Sequence, residues 1–211
     1  MHGATGTTTA IAAYRRRADG VPDPAGDEGF TLIELMVVML AIAILLAIAI
    51  PTFLGTTETA NDRAAQSDIN TALTTAKSLA TQDGQSYGGG TAPVTQAVLS
   101  TDEPSITWVN GPTSTSGAVS WYVDSGPGGQ GIVLASPATG ASLCWYAVDN
   151  LTALAPTAGN GAYGDSQSPA GSATEAPAGA GTYYASGPEP SGGCDATALL
   201  SGVSPWSSTG F

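Results

Sequence analysis

Glu34 is the one ionisable side chain in the run Phe30–Ile50, FTLIELMVVMLAIAILLAIAI. A carboxylate at bilayer depth is unfavourable by about 3 kcal/mol on insertion scales, so its presence asks for a partner. Two roles fit it. It can sit shallow and favour a helix N-terminus through the dipole. Alternatively it can meet a cation at its own depth, and a free amine created at Phe30 by cleavage would supply one. In a bundle of such helices, Glu34 of one copy would then face the amine of another.

Other chemistry-bearing residues are few. Cys144 and Cys194 are the two cysteines. An isolated pair in an exported chain reads as one disulfide, and two unrelated thiols are the other reading. In the chain-entropy treatment, closing a loop of that length stabilises by roughly 4 kcal/mol. His2 is the single histidine, and neither a phosphate-binding Gly-rich loop nor a Cys/His cluster with metal spacing is present. Asp102-Glu103 is an isolated acidic pair that reads as a solvated turn rather than a calcium site. No catalytic set, metal or cofactor is therefore expected. Asn150-Leu151-Thr152 matches a glycosylation sequon, a short pattern that chance produces often.

Charge narrows the partners. The formal net charge is −12, and nothing after Lys77 is basic. Nucleic-acid binding needs a basic face to displace phosphate counterions, so it is disfavoured here.

The elements that position Glu34 begin with the apolar run itself. From Leu35 to Ile50 no residue is polar. A helix of the 21 residues Phe30–Ile50 rises about 31 Å, the thickness of a bilayer's hydrocarbon core. No small-x-small cleavage site follows the run, as a secretory signal would require. It is preceded by a polar stretch containing Arg15, Arg16 and Arg17, which hold that end in the cytoplasm. Residues after Pro51 are then outside.

Beyond Pro51 the apolar residues keep a helical period. Ala65, Ile69, Ala72 with Leu73, Ala76 and Leu79 form one stripe, with Asp62, Arg63, Gln66, Asn70 and Lys77 largely off it. Gln82-Asp83-Gly84 ends the pattern, Gly84 being suited to a left-handed C-cap. One helix is expected from Phe30 to about Gln82, kinked or locally melted at Pro51. Four short segments rich in aromatic or β-branched residues then read as strands: Ile106–Val109, Ala118–Val123, Ile132–Ala135 and Leu143–Val148. Gly126-Pro127-Gly128-Gly129 reads as a hairpin loop, and Tyr183-Tyr184 as a further extended piece. The expected fold is α+β, an antiparallel sheet of three or four strands laid on the amphipathic helix. Its aromatic residues read as packing rather than a ligand cage. Residues 149–193, rich in Gly, Ala, Pro and Ser, are expected to bury little apolar surface. The organisation is then 1–29, 30–50, 51–83, 84–148 and 149–211.

The stretch Gly29-Phe30-Thr31-Leu32-Ile33-Glu34-Leu35 resembles the processing site of type IV prepilins and type II secretion pseudopilins. The motif resemblance covers about residues 26–55; the C-terminal two thirds resembles the family only in general plan. It implies that residues 1–29 are a leader cut after Gly29 and that Phe30 becomes an N-methylated first residue. Glu34 then falls at the family's glutamate position and Pro51 at its kinking proline. The leader departs from the common short form with Lys or Arg close to the cut, since it ends Asp27-Glu28-Gly29. That ending resembles Gram-positive, particularly actinobacterial, pilin-like proteins. The resemblance implies a pilin fold with a disulfide-bounded C-terminal loop. It implies a structural role in a homo-oligomeric extracellular filament, in which Glu34 helps to set register. Its implied partners are a prepilin peptidase, an assembly ATPase and a platform membrane protein. A minor pilin, a secretion pseudopilin and an adhesive tip subunit are the alternatives within that resemblance.

Overall fold

The computed structural model describes residues 29–88, 93–124, 129–155, 161–164, 171–200 and 202–211. The leader up to Glu28, with His2 and Arg15–Arg17, and Gly126–Gly128 of the expected hairpin loop lie outside the described residues. The chain divides into two compact units, Met1–Ile48 and Ala49–Phe211.

Helix α1 spans Leu32–Gln82 and continues through Pro51. Leu, Met and Ala are strong helix formers, and the Ile residues among them are tolerated where no strand partner competes. Around the proline, which lacks an N–H, the hydroxyls of Thr52, Thr56 and Thr57 donate to the carbonyls of Ala49, Phe53 and Leu54 at 2.9, 2.8 and 2.7 Å. The helix stops where expected. Gly84 takes φ 72°, and the N–H groups of Gln85 and Ser86 turn back onto the Ala80 carbonyl at 2.8 and 3.2 Å.

The second unit is built on a five-stranded sheet: β1 (Thr107–Val109), β2 (Ala118–Val123), β3 (Gly131–Ala138), β4 (Leu143–Asn150) and β5 (Gly181–Pro188), in the spatial order β1-β2-β3-β4-β5. β2 to β5 pair antiparallel in sequence, as expected. β1 does not: it pairs parallel with β2, Thr107 opposite Ala118. The sheet is therefore mixed and has one strand more than the three or four expected. The eight residues 110–117 that return the chain use left-handed or Gly-only backbone at Gly111 (φ 135°) and Gly117 (φ 75°). Thr113 and Cys194 exchange two backbone hydrogen bonds there, 2.9 and 2.8 Å, which pin the excursion. Helix α2 (Gln96–Asp102) lies before β1 and was not legible as an element; Thr95 caps it through its hydroxyl.

Both faces of the sheet are covered. β3 alternates Ile132 and Leu134 toward one core with Val133 and Ala135 toward the other, and every residue of it is buried. On the first face lie Ile69, Ala72, Leu73, Ala76, Leu79 and Ala80 of α1, the stripe read from the sequence. Each fully buried Ile or Leu contributes about 1.5–3 kcal/mol relative to exposure. The second face packs against Ala162, Tyr163, Ala176, Ala196, Leu200 and Val203. That corrects the expectation that residues 149–193 bury little. Within 149–193 the layer consists of Ala162, Tyr163 and Ala176, small residues plus one aromatic, and small residues approach a sheet closely without announcing themselves by hydropathy. The Cys144–Cys194 disulfide is formed, with Cα atoms 5.5 Å apart, and ties this layer to β4.

Candidate functional site

Two places hold candidate functional groups, and the N-terminal segment, which carries the expected Gly29, Phe30 and Glu34, comes first. Gly29, Phe30 and Thr31 are non-helical and exposed, and α1 begins at Leu32. The Phe30 side chain is 84% exposed. A Cβ built on Gly29 meets nothing within 4 Å. Gly29 and Phe30 are thus open and outside the helix, a form in which their peptide bond can enter a protease cleft.

Thr31 and Glu34 form a reciprocal cap. The Thr31 N–H and hydroxyl donate to Glu34 Oε2 at 2.9 and 2.7 Å, and the Glu34 N–H donates to Thr31 Oγ1 at 3.2 Å. Thr31 is the residue before the helix and Glu34 its third residue, so this is a capping box. The signal was present in the sequence as Thr-x-x-Glu before an apolar run, and Thr31 is the residue that sequence reasoning missed. Within one chain Glu34 therefore caps the start of the helix. Its carboxylate is held one residue from the Phe30 position where cleavage would create an amine.

The side chains that follow are apolar and exposed. Leu32, Leu45 and Ile48 are 83%, 67% and 67% exposed, and the pattern runs on through Phe53 and Leu54. By length and composition this part of α1 can cross a membrane. Exposed apolar side chains in an unbroken run of this size mark a surface meant for lipid or for another protein.

The second place is polar and lies where α1 meets the sheet. Lys77 Nζ lies 2.8 Å from Asp149 Oδ1 and donates to Thr182 Oγ1 at 2.7 Å. The Tyr87 hydroxyl donates to Asp149 Oδ2 at 2.5 Å. Burial, with the Asp149 carboxylate beside it, pushes the Tyr87 hydroxyl far above the usual phenol range. Trp145 Nε1 donates to Asp62 Oδ1 at 3.3 Å, and Asn61 Nδ2 donates to the Thr139 carbonyl. These contacts fasten one edge of α1 to β4 and β5. They are a brace rather than a reaction centre: each donor already has its acceptor.

The sequon has a structural use. Asn150 is buried, its Nδ2 donates to the Pro177 and Gly179 carbonyls at 2.7 and 2.8 Å, and its Oδ1 accepts from the Tyr163 hydroxyl at 2.6 Å. An amide so engaged is closed to a sugar in the folded chain. Asp102 is the last residue of α2, and the Glu103 carboxylate accepts from the N–H and hydroxyl of Ser105 at 3.2 and 2.5 Å. Among the described residues no group of three or more His, Cys, Asp or Glu side chains could hold a metal ion.

Residues 25–50 match the family model described as the prokaryotic N-terminal methylation motif. The matched span contains Gly29, Phe30, Glu34 and the apolar run, and it supports the type IV pilin and pseudopilin family and membrane insertion of the precursor. No curated protein and no solved structure matches the chain.

Proposed function

We propose that this chain is a prepilin whose mature form is the many-copy structural subunit of a type IV pilus. One observation carries the reading. The methylation motif at 25–50 coincides with the part of α1 whose apolar side chains are exposed, while the later part of the same helix is buried against its own sheet.

The steps follow from the physical properties of the parts. The apolar run inserts into the membrane with the leader inside, held by Arg15, Arg16 and Arg17. A prepilin peptidase cuts between Gly29 and Phe30, and Phe30 is N-methylated. Loss of the polar leader lets the helix leave lipid for a bundle of identical helices, driven by an assembly ATPase acting through a platform membrane protein. In that bundle Glu34 accepts a contact from the Phe30 amine of a neighbouring copy and so helps to set the register. Pro51 permits the kink that close helix packing requires. The sheet unit faces the outside of the filament.

N-terminal mass spectrometry of extracellular material tests the reading. It should return a chain beginning at methylated Phe30. Recovery with residues 1–29 attached, or as a chain lacking the apolar run, would overturn it. Counting copies in purified filaments separates a major subunit from a minor pilin or a secretion pseudopilin.

A further inference from the structure

After Arg17 the chain has two basic residues, Arg63 and Lys77. Lys77 is committed within the chain, to Asp149 and Thr182. Arg63 is exposed on α1, and among the described residues no carboxylate lies within ion-pair distance of it. It lines an open groove of about 570 Å³ with Gln66, Asn70, Thr74 and Glu103. The groove is walled mostly by hydroxyls and amides, and its one carboxylate, on Glu103, is already occupied by Ser105.

We propose that this groove on α1 docks a second copy of the chain, with Arg63 receiving an exposed carboxylate of that copy. The inference rests on the filament reading above. The occupant follows from charge. Without residues 1–29 the chain has two basic and thirteen acidic residues, a formal −11, and repels its own copies when they are packed side by side. A neighbouring copy necessarily presents carboxylates, of which Glu58 on α1 and Asp102 on α2 are exposed. Arg63 is the unpaired cation that can meet one, and a guanidinium binds a carboxylate through two parallel N–H donors with defined geometry. A pair of this kind adds little to the affinity of one contact. Its larger effect is to fix orientation and to penalise registers that bring carboxylate against carboxylate. Glu34 would then set register among the apolar helices and Arg63 among the sheet units.

The test uses filaments from cells producing the full chain with Arg63→Lys. The conservative variant keeps the charge and supplies an amine that a zero-length carbodiimide can join to a touching carboxylate. The Lys77–Asp149 pair is the internal control, expected to give a link within one chain. The proposal expects a link from position 63 to a carboxylate of a different copy, shown as covalent dimers whose linked peptide contains residue 63. Mass spectrometry of the linked peptides then names the partner. A second variant, Arg63→Glu, is expected to lower filament yield about fivefold, the upper range for one exposed pair. Its cleavage and membrane level should stay normal. A link from position 63 only to its own chain's Glu103, or normal filament yield with Arg63→Glu, would overturn the pairing while leaving the filament reading intact. Absence of filaments from the unsubstituted chain would instead remove the filament reading.

Discussion

Two stretches of α1, one before Pro51 and one after Ala60, use the same backbone for opposite purposes. In the later stretch Ala65, Ile69, Ala72, Leu73 and Ala76 are buried on the sheet while Arg63, Asn70 and Thr74 face outward. A periodic stripe of that width has its partner within the chain. In the earlier stretch Leu, Ile, Met and Val point in every direction, and all are exposed. A helix that is apolar all round has no preferred side to bury, so a single sheet cannot satisfy it; lipid or several like helices can. Periodicity within one helix thus tells which part serves the monomer and which part serves something outside it.

The largest expected break in this contrast comes from Gly29→Ala. A Cβ there meets nothing within 4 Å, so the substitution leaves the chain's own fold untouched. Processing should nonetheless be lost, with precursor-sized protein in the membrane fraction and none at mature size. An immunoblot of fractionated cells reads this directly. Mature-sized protein at the usual level would show that the open segment around Gly29 is not the processing site.

The sheet unit should respond to a different lesion. Replacing both Cys144 and Cys194 by Ser frees the layer that covers the second face of the sheet. The chain-entropy treatment puts the loss at roughly 4 kcal/mol. Thermal unfolding of the detergent-solubilised chain should show the sheet unit melting far earlier, while helical signal from the apolar stretch persists in detergent. Simultaneous loss of both would mean that the two stretches of α1 do not have separate sources of stability.

Alkali should separate the same two regions without mutation. Tyr87, Tyr146 and Tyr163 are buried in the sheet unit. Burial pushes the Tyr146 hydroxyl up to about 12, helped by the Asp195 and Glu189 carboxylates, and raises Tyr87 and Tyr163 well above the usual phenol range. The folded state thus favours the neutral phenol. Its stabilisation is complete below the unfolded value near 10 and is lost as pH rises from there through about 12. Near-UV dichroism of the solubilised chain should collapse across that window. Ionisation of every tyrosine at about pH 10 with the dichroism retained would refute the burial-driven shift.

How far this molecule could be read in advance follows from how its parts announce themselves. The Ala118–Val123 strand has the bounds expected from its β-branched and aromatic residues, and Tyr183-Tyr184 proved to be the centre of β5. The α1 stripe and the Gly84 stop were legible because a 3.6-residue period and a left-handed cap each demand particular residue types. The parallel β1–β2 pairing was not legible. A return in eight residues is held by a bridge to Cys194, far along the chain, beside a local Thr115–Ala118 turn. Much of the covering layer hid behind Ala162, Ala176 and Ala196, whose burial depends on close approach rather than on side-chain size. Asn150 matched a modification pattern while its amide had become an internal fastener between Tyr163 and two carbonyls. In the candidate site, Glu34 stood out because it was alone among apolar residues. Thr31 did not, because a threonine before a helix is ordinary.

That pair supports the smallest effect and the finest distinction. Thr31→Ala removes the hydroxyl that accepts from the Glu34 N–H, which weakens the start of α1 by about 1 kcal/mol. Glu34→Ala removes the other half of the same box. If Glu34 served only to start the helix, the two substitutions should impair filament assembly to the same small extent. The proposed contact with a neighbour's amine adds a second role that Thr31 does not share. Assembly should therefore be nearly intact with Thr31→Ala and strongly reduced with Glu34→Ala, both precursors being cut normally. Equal filament yields from the two variants would assign Glu34 to the cap and to nothing more.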